Sequence, residues 1–168
     1  CNKYRYFKEW RISDYKNKNK ALLITGARQV GKSFIAREYG KNNFKQVVEI
    51  NFLKDKNAVN ALQNIINSKD LMLKLSALVG KPFIKGDTLF IFDEVQEIPD
   101  LLTHIKFLVE EGSYDYILTG SLLGVKLKDI RAIPVGYMDS LEMFPLDFEE
   151  FMTANGLQSD IIDYLRKC

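Results

Sequence analysis

The 168-residue sequence has few cysteines and no long apolar run. Its two cysteines, Cys1 and Cys168, lie at the two ends, so the chain offers neither metal-ligand spacing nor a disulfide framework. No run of about eighteen apolar residues occurs, which argues against a transmembrane helix. Residues 1–20 lack the apolar core of a signal peptide. We therefore expect a reducing, cytoplasmic setting and no membrane partner.

A large excess of charge is also missing. The net charge is +2, and hydrophobic residues make up 46% of the chain, a balance typical of a globular domain. This net charge does not support a nucleic-acid partner. Basic residues are nevertheless concentrated in residues 1–20, where Tyr4, Phe7 and Trp10 recur at helical spacing. We expect an amphipathic helix packed on the domain, and the alternative is a segment that stacks on nucleic acid.

One motif stands out among the residues that are present. The apolar run Ala21 to Ile24 leads into a G-x-x-x-x-G-K-S pattern, formed by Gly26, Ala27, Arg28, Gln29, Val30, Gly31, Lys32 and Ser33. Glycines allow a tight turn whose backbone N–H groups surround a phosphate, and the following helix points its positive end at it. The pattern predicts a phosphate-binding loop in which Lys32 reaches the β- and γ-phosphates and Ser33 holds Mg²⁺.

A second apolar run ends in two carboxylates. Leu89 to Phe92 has the continuous apolar character of a buried parallel strand, and Asp93 and Glu94 follow it directly. Ligands of open α/β sheets bind at the carboxyl ends of the strands. We therefore predict that Asp93 serves Mg²⁺, directly or through water, and that Glu94 is the general base toward an attacking water. The alternative is a helix cap with acids in its first turn.

A third apolar run changes abruptly to small and polar residues. Tyr116 to Leu118 is followed by Thr119, Gly120 and Ser121. If this strand lies between the other two, Thr119 or Ser121 would face the γ-phosphate or the lytic water. We place both hydroxyls in the catalytic set with Lys32 and Glu94; the alternative is an ordinary strand-end turn.

The rest of the chain alternates between strand and helix patterns. A helix is predicted from Lys32 to about Tyr39, with Gly40 as its stop signal. Further strands are predicted at Gln46–Phe52 and Ser140–Phe144. This alternation predicts an α/β, three-layer P-loop NTPase fold with a parallel five-stranded sheet covered by helices on both faces. We divide the chain into an N-terminal helical segment (1–20), a core (21–155) and the start of a further region (156–168).

Together the motifs resemble a known family, the poorly characterised AAA+ ATPases of bacteria and archaea that join an N-terminal AAA domain to a C-terminal domain of unknown function. The resemblance lies in four segments: Leu23 to Ser33, Phe92 to Pro99, Leu118 to Ser121, and Phe144 to Phe151. It implies ATP and Mg²⁺ as cofactors at Gly26 to Ser33, with Asp93 and Glu94 as the acidic pair. It also implies that Ser121 takes the place of the polar sensor on the fourth strand.

We therefore expect a domain that binds ATP or ADP and hydrolyses ATP in the full-length protein. Two alternatives stay open: a nucleotide-sensing switch with little turnover, and a nucleic-acid-associated regulator. A homo-oligomer is compatible with the motifs, and the sequence identifies no protein partner.

The sequence departs from its relatives at two places. Gly136-Tyr137 stands where many relatives have Gly-Arg or Gly-Lys, so a cation is missing there. Arg131 is the candidate arginine finger, and its alternative is a solvated loop residue. The chain starts without Met and stops where the relatives continue, so we expect a fragment of a longer protein.

Overall fold

The structure is a computed structural model that describes residues 19–121 and 136–145. The strands within these ranges are β1 Ala21–Gly26, β2 Gln46–Asn51, β3 Thr88–Asp93, β4 Asp115–Gly120 and β5 Met138–Met143. The α-helices are α1 Lys32–Asn43, α2 Lys56–Ala61, α3 Ser68–Val79 and α4 Pro99–Glu111. A 3₁₀ helix, Val95–Glu97, lies between β3 and α4.

The strands form one parallel sheet with the order β2-β3-β4-β1-β5. The predicted α/β fold and its five parallel strands are therefore confirmed. β4 lies between β1 and β3, pairing Leu22 with Ile117 on one side and Leu89 with Asp115 on the other. This order places the ends of β1, β3 and β4 side by side, because parallel strands end at the same edge of the sheet.

Helices cover both faces of the sheet because alternate strand residues point to opposite sides. On one side, Leu22 and Ile24 of β1 pack with Leu89 and Ile91 of β3 and with Ile35 of α1. The other side has its own core, formed by β-strand residues with residues of α2, α3 and α4: Leu23, Phe90, Phe92, Ala58, Leu71, Leu75, Leu101 and Ile105. β3 is buried along its whole length, as its continuous apolar run predicts.

Helix α1 does not stop at Gly40, so this prediction was wrong. The helix continues to Asn43, and the residue after it, Phe44, has an extended backbone. Gly40 is buried against β2 and β3: a Cβ there would lie 2.8 Å from Val47 Cγ2 and 3.0 Å from Leu89 Cδ2. The glycine therefore allows close helix–sheet packing rather than ending the helix.

Several predictions lie outside the described residues. These include the aromatic positions Tyr4, Phe7 and Trp10, the arginine candidate Arg131, and the third predicted segment at 156–168. The division of the chain into three parts stays a prediction. In the ranges 19–121 and 136–145, no helix is long and apolar enough to cross a membrane.

Gly26 joins the end of β1 to the predicted phosphate loop in a backbone conformation that other residues rarely adopt. Its φ is +138°, and a Cβ at this position would lie 2.1 Å from the carbonyl oxygen of Met143 on β5. Backbone atoms cannot move aside as a flexible side chain can. Gly26 therefore satisfies two constraints at once: an unusual φ and the close approach of a neighbouring strand.

We predict that Gly26→Ala lowers the free energy of unfolding by at least about 2 kcal/mol, because backbone strain and steric overlap add. Gly86→Ala is the matched control, since Gly86 also has a positive φ, +73°, but open space around it. The control should cost about 1 kcal/mol. Urea unfolding of both variants measures the difference; equal losses would contradict the role of the Met143 contact.

Candidate functional site

The predicted phosphate loop lies between β1 and α1 and leaves the start of the helix uncapped. Gly31 is the N-cap residue with φ 95°, and no side chain caps the helix. The first turn of α1 contains no acidic residue. Gln29 has φ +63°, an uncommon conformation for a residue other than glycine. Uncapped N–H groups beside left-handed backbone turns form a site that favours anions.

The predicted phosphate loop has exposed residues on its outer side and one buried residue that packs into the domain. Ala27, Arg28 and Gln29 are exposed, whereas Val30 is buried in the core. This arrangement fixes the loop on the domain while it leaves the outer residues accessible to a ligand.

Lys32 is a buried cation at the start of α1, only 4% exposed. Its Nζ donates to the carbonyl oxygens of Gly26 at 3.1 Å and Ala27 at 2.7 Å. Burial lowers the pKa of the Lys32 ammonium, and the carboxylates of Glu94 and Asp93 oppose that shift. A desolvated cation next to a loop that favours anions stabilises negative charge, so its position suits a phosphate contact.

Asp93 connects the helix that follows the predicted phosphate loop to the neighbouring strands of the sheet. One of its oxygens, Oδ1, accepts hydrogen bonds from Ser33 Oγ at 2.8 Å and from Thr119 Oγ1. The other, Oδ2, accepts from Asn51 Nδ2 at 2.7 Å. Asp93 is 4% exposed, and a buried carboxylate requires such donors. The carboxylate therefore joins α1, β2 and β4 to the end of β3.

Glu94 follows Asp93 in the chain, but its side chain makes different contacts. Its backbone is left-handed, with φ +59°. Its Oε2 accepts hydrogen bonds from Ser121 Oγ at 2.7 Å and from Gln96 Nε2. Its backbone N–H donates to Thr119 Oγ1 at 3.4 Å. Strained backbone of this kind is concentrated at functional sites, where the surrounding structure holds it in place.

The structure thus brings together the residues that the motifs selected. Lys32, Ser33 and Asp93 form one group, and Glu94 with Ser121 forms a second group beside it. Both hydroxyls of the third motif contact the acidic pair: Thr119 contacts Asp93, and Ser121 contacts Glu94. Their roles as catalytic residues stay predictions.

Two further residues of this site, Asn51 and Gln96, were not predicted from the motifs. Asn51 ends β2 and pairs in register with Asp93, so a polar residue at a strand end was the available signal. That signal requires knowing that β2 lies next to β3. Gln96 lies within the segment Phe92 to Pro99 that carries the family resemblance, but the sequence does not show which way its side chain points.

The oxygen donors at this site fit Mg²⁺. The Ser33 hydroxyl and the Asp93 carboxylate are hard ligands that lie together, as their 2.8 Å hydrogen bond shows. No group of three or more His, Cys, Asp or Glu residues able to hold a metal occurs in the described part of the chain. A Mg²⁺ site here would therefore be completed by water and phosphate oxygens, as this ion commonly prefers.

Comparison with known proteins identifies the family. The model of a family described as "AAA domain" matches residues 18–152. The chain belongs to this AAA domain family. The resemblance drawn from the motifs is confirmed for the AAA domain, and the chain is thereby a nucleotide-binding domain of the AAA type.

Individual relatives add little about activity. An uncharacterised protein of Methanocaldococcus jannaschii is 27% identical over 135 residues, which are 80% of this chain and 28% of that protein. This AAA domain thus spans little more than a quarter of that relative. Two solved structures are similar: Drosophila ORC bound to AT-rich DNA and Cdc6 (TM-score 0.49, 12% identity, 99% of this chain and 63% of that one), and C. elegans PCH-2 (0.42, 16%, 88% and 45%). At these values neither likeness carries a functional argument.

We predict that Thr119→Val lowers the free energy of unfolding by about 1–3 kcal/mol, since the substitution keeps the shape but removes a hydrogen bond to a buried carboxylate. Thr25→Val on the neighbouring strand is the matched control, because the Thr25 hydroxyl only reaches a neutral carbonyl at 3.5 Å. Urea unfolding compares the two, and equal effects would show that the Thr119–Asp93 contact contributes nothing.

Proposed function

We propose that this AAA domain binds Mg-ATP at Gly26 to Ser33 and hydrolyses it to ADP and phosphate. The observation that carries the proposal is the hydrogen bond between Ser33 and Asp93. It joins the helix after the predicted phosphate loop to the acidic strand end, 60 residues further along the chain. The phosphate-loop motif and the acidic pair, which the sequence alone only suggests to act together, are therefore in contact.

Three features of the loop support phosphate binding. The start of α1 carries uncapped N–H groups, and no acidic residue in the first turn competes for them. Lys32 supplies a desolvated positive charge at the same place. Lys32 and the helix terminus would together offset the charge of the β- and γ-phosphates, with Ser33 and Asp93 as the residues that hold the metal.

The chemistry would consist of positioning and electrostatic stabilisation. Mg²⁺, when bound, would neutralise charge on the phosphate oxygens. Glu94 would orient an attacking water and accept its proton. We assign this role to Glu94 because its carboxylate lies beside the loop and takes no part in the hydrogen bonds to the Asp93 carboxylate. Thr119 would hold Asp93, and Ser121 would hold Glu94.

The proposal concerns the activity of the AAA domain. A homo-oligomer that supplies an arginine from a neighbouring subunit is part of the proposal, as is a cytoplasmic location. A nucleotide-sensing switch with little turnover is the competing function, and the turnover of Glu94→Gln distinguishes the two.

We predict that Mg-ATP raises the Tm of the protein by roughly 5–10 °C at a hundredfold excess over its Kd. A ligand that binds only the folded state stabilises it by about 2.7 kcal/mol under that condition. Lys32→Ala should largely abolish this shift in a thermal melt. Lys41→Ala is the control, since it removes a positive charge from the exposed end of the same helix.

An unchanged melting curve of the wild-type protein at millimolar Mg-ATP would contradict nucleotide binding at the loop. Loss of the shift in Lys41→Ala as well would mean that overall charge, not the position of Lys32, determines binding.

We predict that Glu94→Gln binds Mg-ATP like the wild type but loses hydrolysis by on the order of 10²–10⁴-fold, because the variant lacks a general base. Asp93→Asn should weaken Mg²⁺-dependent binding as well as turnover. Glu97→Gln is the control, since Glu97 lies nearby but pairs with Lys56 at 3.5 Å. Phosphate release by full-length protein and Mg-ATP titration measure the two effects.

Equal turnover in wild type and Glu94→Gln at matched ATP occupancy would replace hydrolysis with the switch function. A neighbouring arginine can contribute about 10³–10⁵ in rate, so the comparison requires full-length protein under assembly conditions.

A further inference from the structure

Gln96 is a polar residue that the fold buries next to the proposed general base. It lies in the 3₁₀ helix Val95–Glu97 and is only 8% exposed. The buried polar residues among those described are few: Lys32, Thr88, Asp93, Gln96, Thr119 and Ser121. Thr88 bonds with Gln46 and Ile84 away from the site. All the others lie around the loop and the acidic pair.

The Gln96 amide completes a closed ring of hydrogen bonds. Gln96 Nε2 donates to Glu94 Oε2 and, at 3.3 Å, to Ser121 Oγ. Ser121 Oγ in turn donates to the same Glu94 oxygen at 2.7 Å. An ionised carboxylate can only accept, so the amide atom facing Glu94 must be the nitrogen.

This orientation leaves the other amide atom unsatisfied. Gln96 Oε1 is buried and has no hydrogen-bond partner among the described residues. A buried acceptor without a partner is energetically unfavourable. The hydrogen bonds of the amide nitrogen to Glu94 and Ser121 therefore maintain this orientation of the amide. The Gln96 side chain therefore serves Glu94 and Ser121.

The ring engages only one of the two oxygens of Glu94. Both donors reach Oε2, and none of the described residues donates to Oε1. The carboxylate is thus fixed in direction, and the described residues leave its other oxygen available to accept a proton. The left-handed backbone of Glu94, with φ +59°, determines the direction in which its side chain leaves the main chain. The ring of hydrogen bonds determines where its carboxylate lies.

We propose that Gln96 is a positioning residue for ATP hydrolysis: with Ser121 it fixes the Glu94 carboxylate so that Oε1 faces the attacking water. This inference rests on the proposed hydrolysis and adds a residue to it. The hydrogen bonds of Gln96 to described residues go to Glu94 and Ser121 and not to Lys32 or Ser33, so we expect it to act on turnover and to leave nucleotide affinity unchanged. A misdirected base costs rate because the reacting groups must be aligned for proton transfer.

The test is Gln96→Met in full-length protein, which keeps the length of the side chain but removes its N–H donor. We expect kcat to fall by about 10- to 100-fold, with KM and the Mg-ATP thermal shift unchanged. The matched control is Gln63→Met, an exposed glutamine outside the site. In the Glu94→Gln background, Gln96→Met should change turnover no further, because the group that it positions is already absent.

Four kinetic or binding results would overturn the inference. Unchanged kcat in Gln96→Met, in protein that hydrolyses ATP, would reject the inference alone and leave the proposed function standing. Reduced Mg-ATP binding in Gln96→Met, or a further loss of turnover in the Glu94→Gln background, would show a merely structural residue. A wild-type protein that binds Mg-ATP but does not hydrolyse it would reject both the function and the positioning role.

A measurement on the wild-type glutamine keeps the test independent of how the Met variant folds. The side-chain amide NMR signal of Gln96 should move in Glu94→Gln and stay in place in Glu97→Gln. A Gln96 signal that ignores the Glu94 substitution would mean that the ring does not exist, and the inference would fall.

Discussion

The buried carboxylate of Asp93 is the contact on which the rest of the site depends. It accepts hydrogen bonds from Ser33 on α1, from Asn51 on β2 and from Thr119 on β4, so three separate segments meet at one side chain. Such a carboxylate is stable in the interior only while these donors stay in place. The start of α1 is therefore held at a fixed position relative to the strand ends, and the predicted phosphate loop takes its shape from that.

The parallel sheet separates the two carboxylates although they are neighbours in the chain. Asp93 ends β3 with both oxygens engaged, whereas Glu94 leaves the strand through a left-handed backbone and has one oxygen engaged by the described residues. This difference suits Asp93 to holding the site together and binding a metal, and it suits Glu94 to accepting a proton. β4 supports both, because Thr119 contacts the first and Ser121 the second.

Much of this arrangement could be predicted from the sequence because β1, β3 and β4 contain short apolar runs with their functional residues at or just after the strand end. The phosphate loop, the acidic pair and the hydroxyls of Thr119 and Ser121 were all found in that way. Strand order could not be derived from local patterns, and for that reason Asn51 was missed: its contact with Asp93 exists only because β2 lies beside β3. Gly40 has the local signature of a helix stop, but local propensity does not reveal that β2 and β3 pack closely against it.

Metal binding should leave the hydrogen bond between Ser33 and Asp93 in place. Ser33 donates its proton to Asp93 at 2.8 Å, and the lone pairs of its hydroxyl oxygen are those with which it would ligate Mg²⁺. The most direct test is a crystal structure of the protein with Mg²⁺ and a non-hydrolysable ATP analogue. The account predicts phosphates on the backbone of Gly26 to Ser33 and the ion about 2.1 Å from Ser33 Oγ, with Asp93 beside it. Nucleotide bound away from this loop would contradict it.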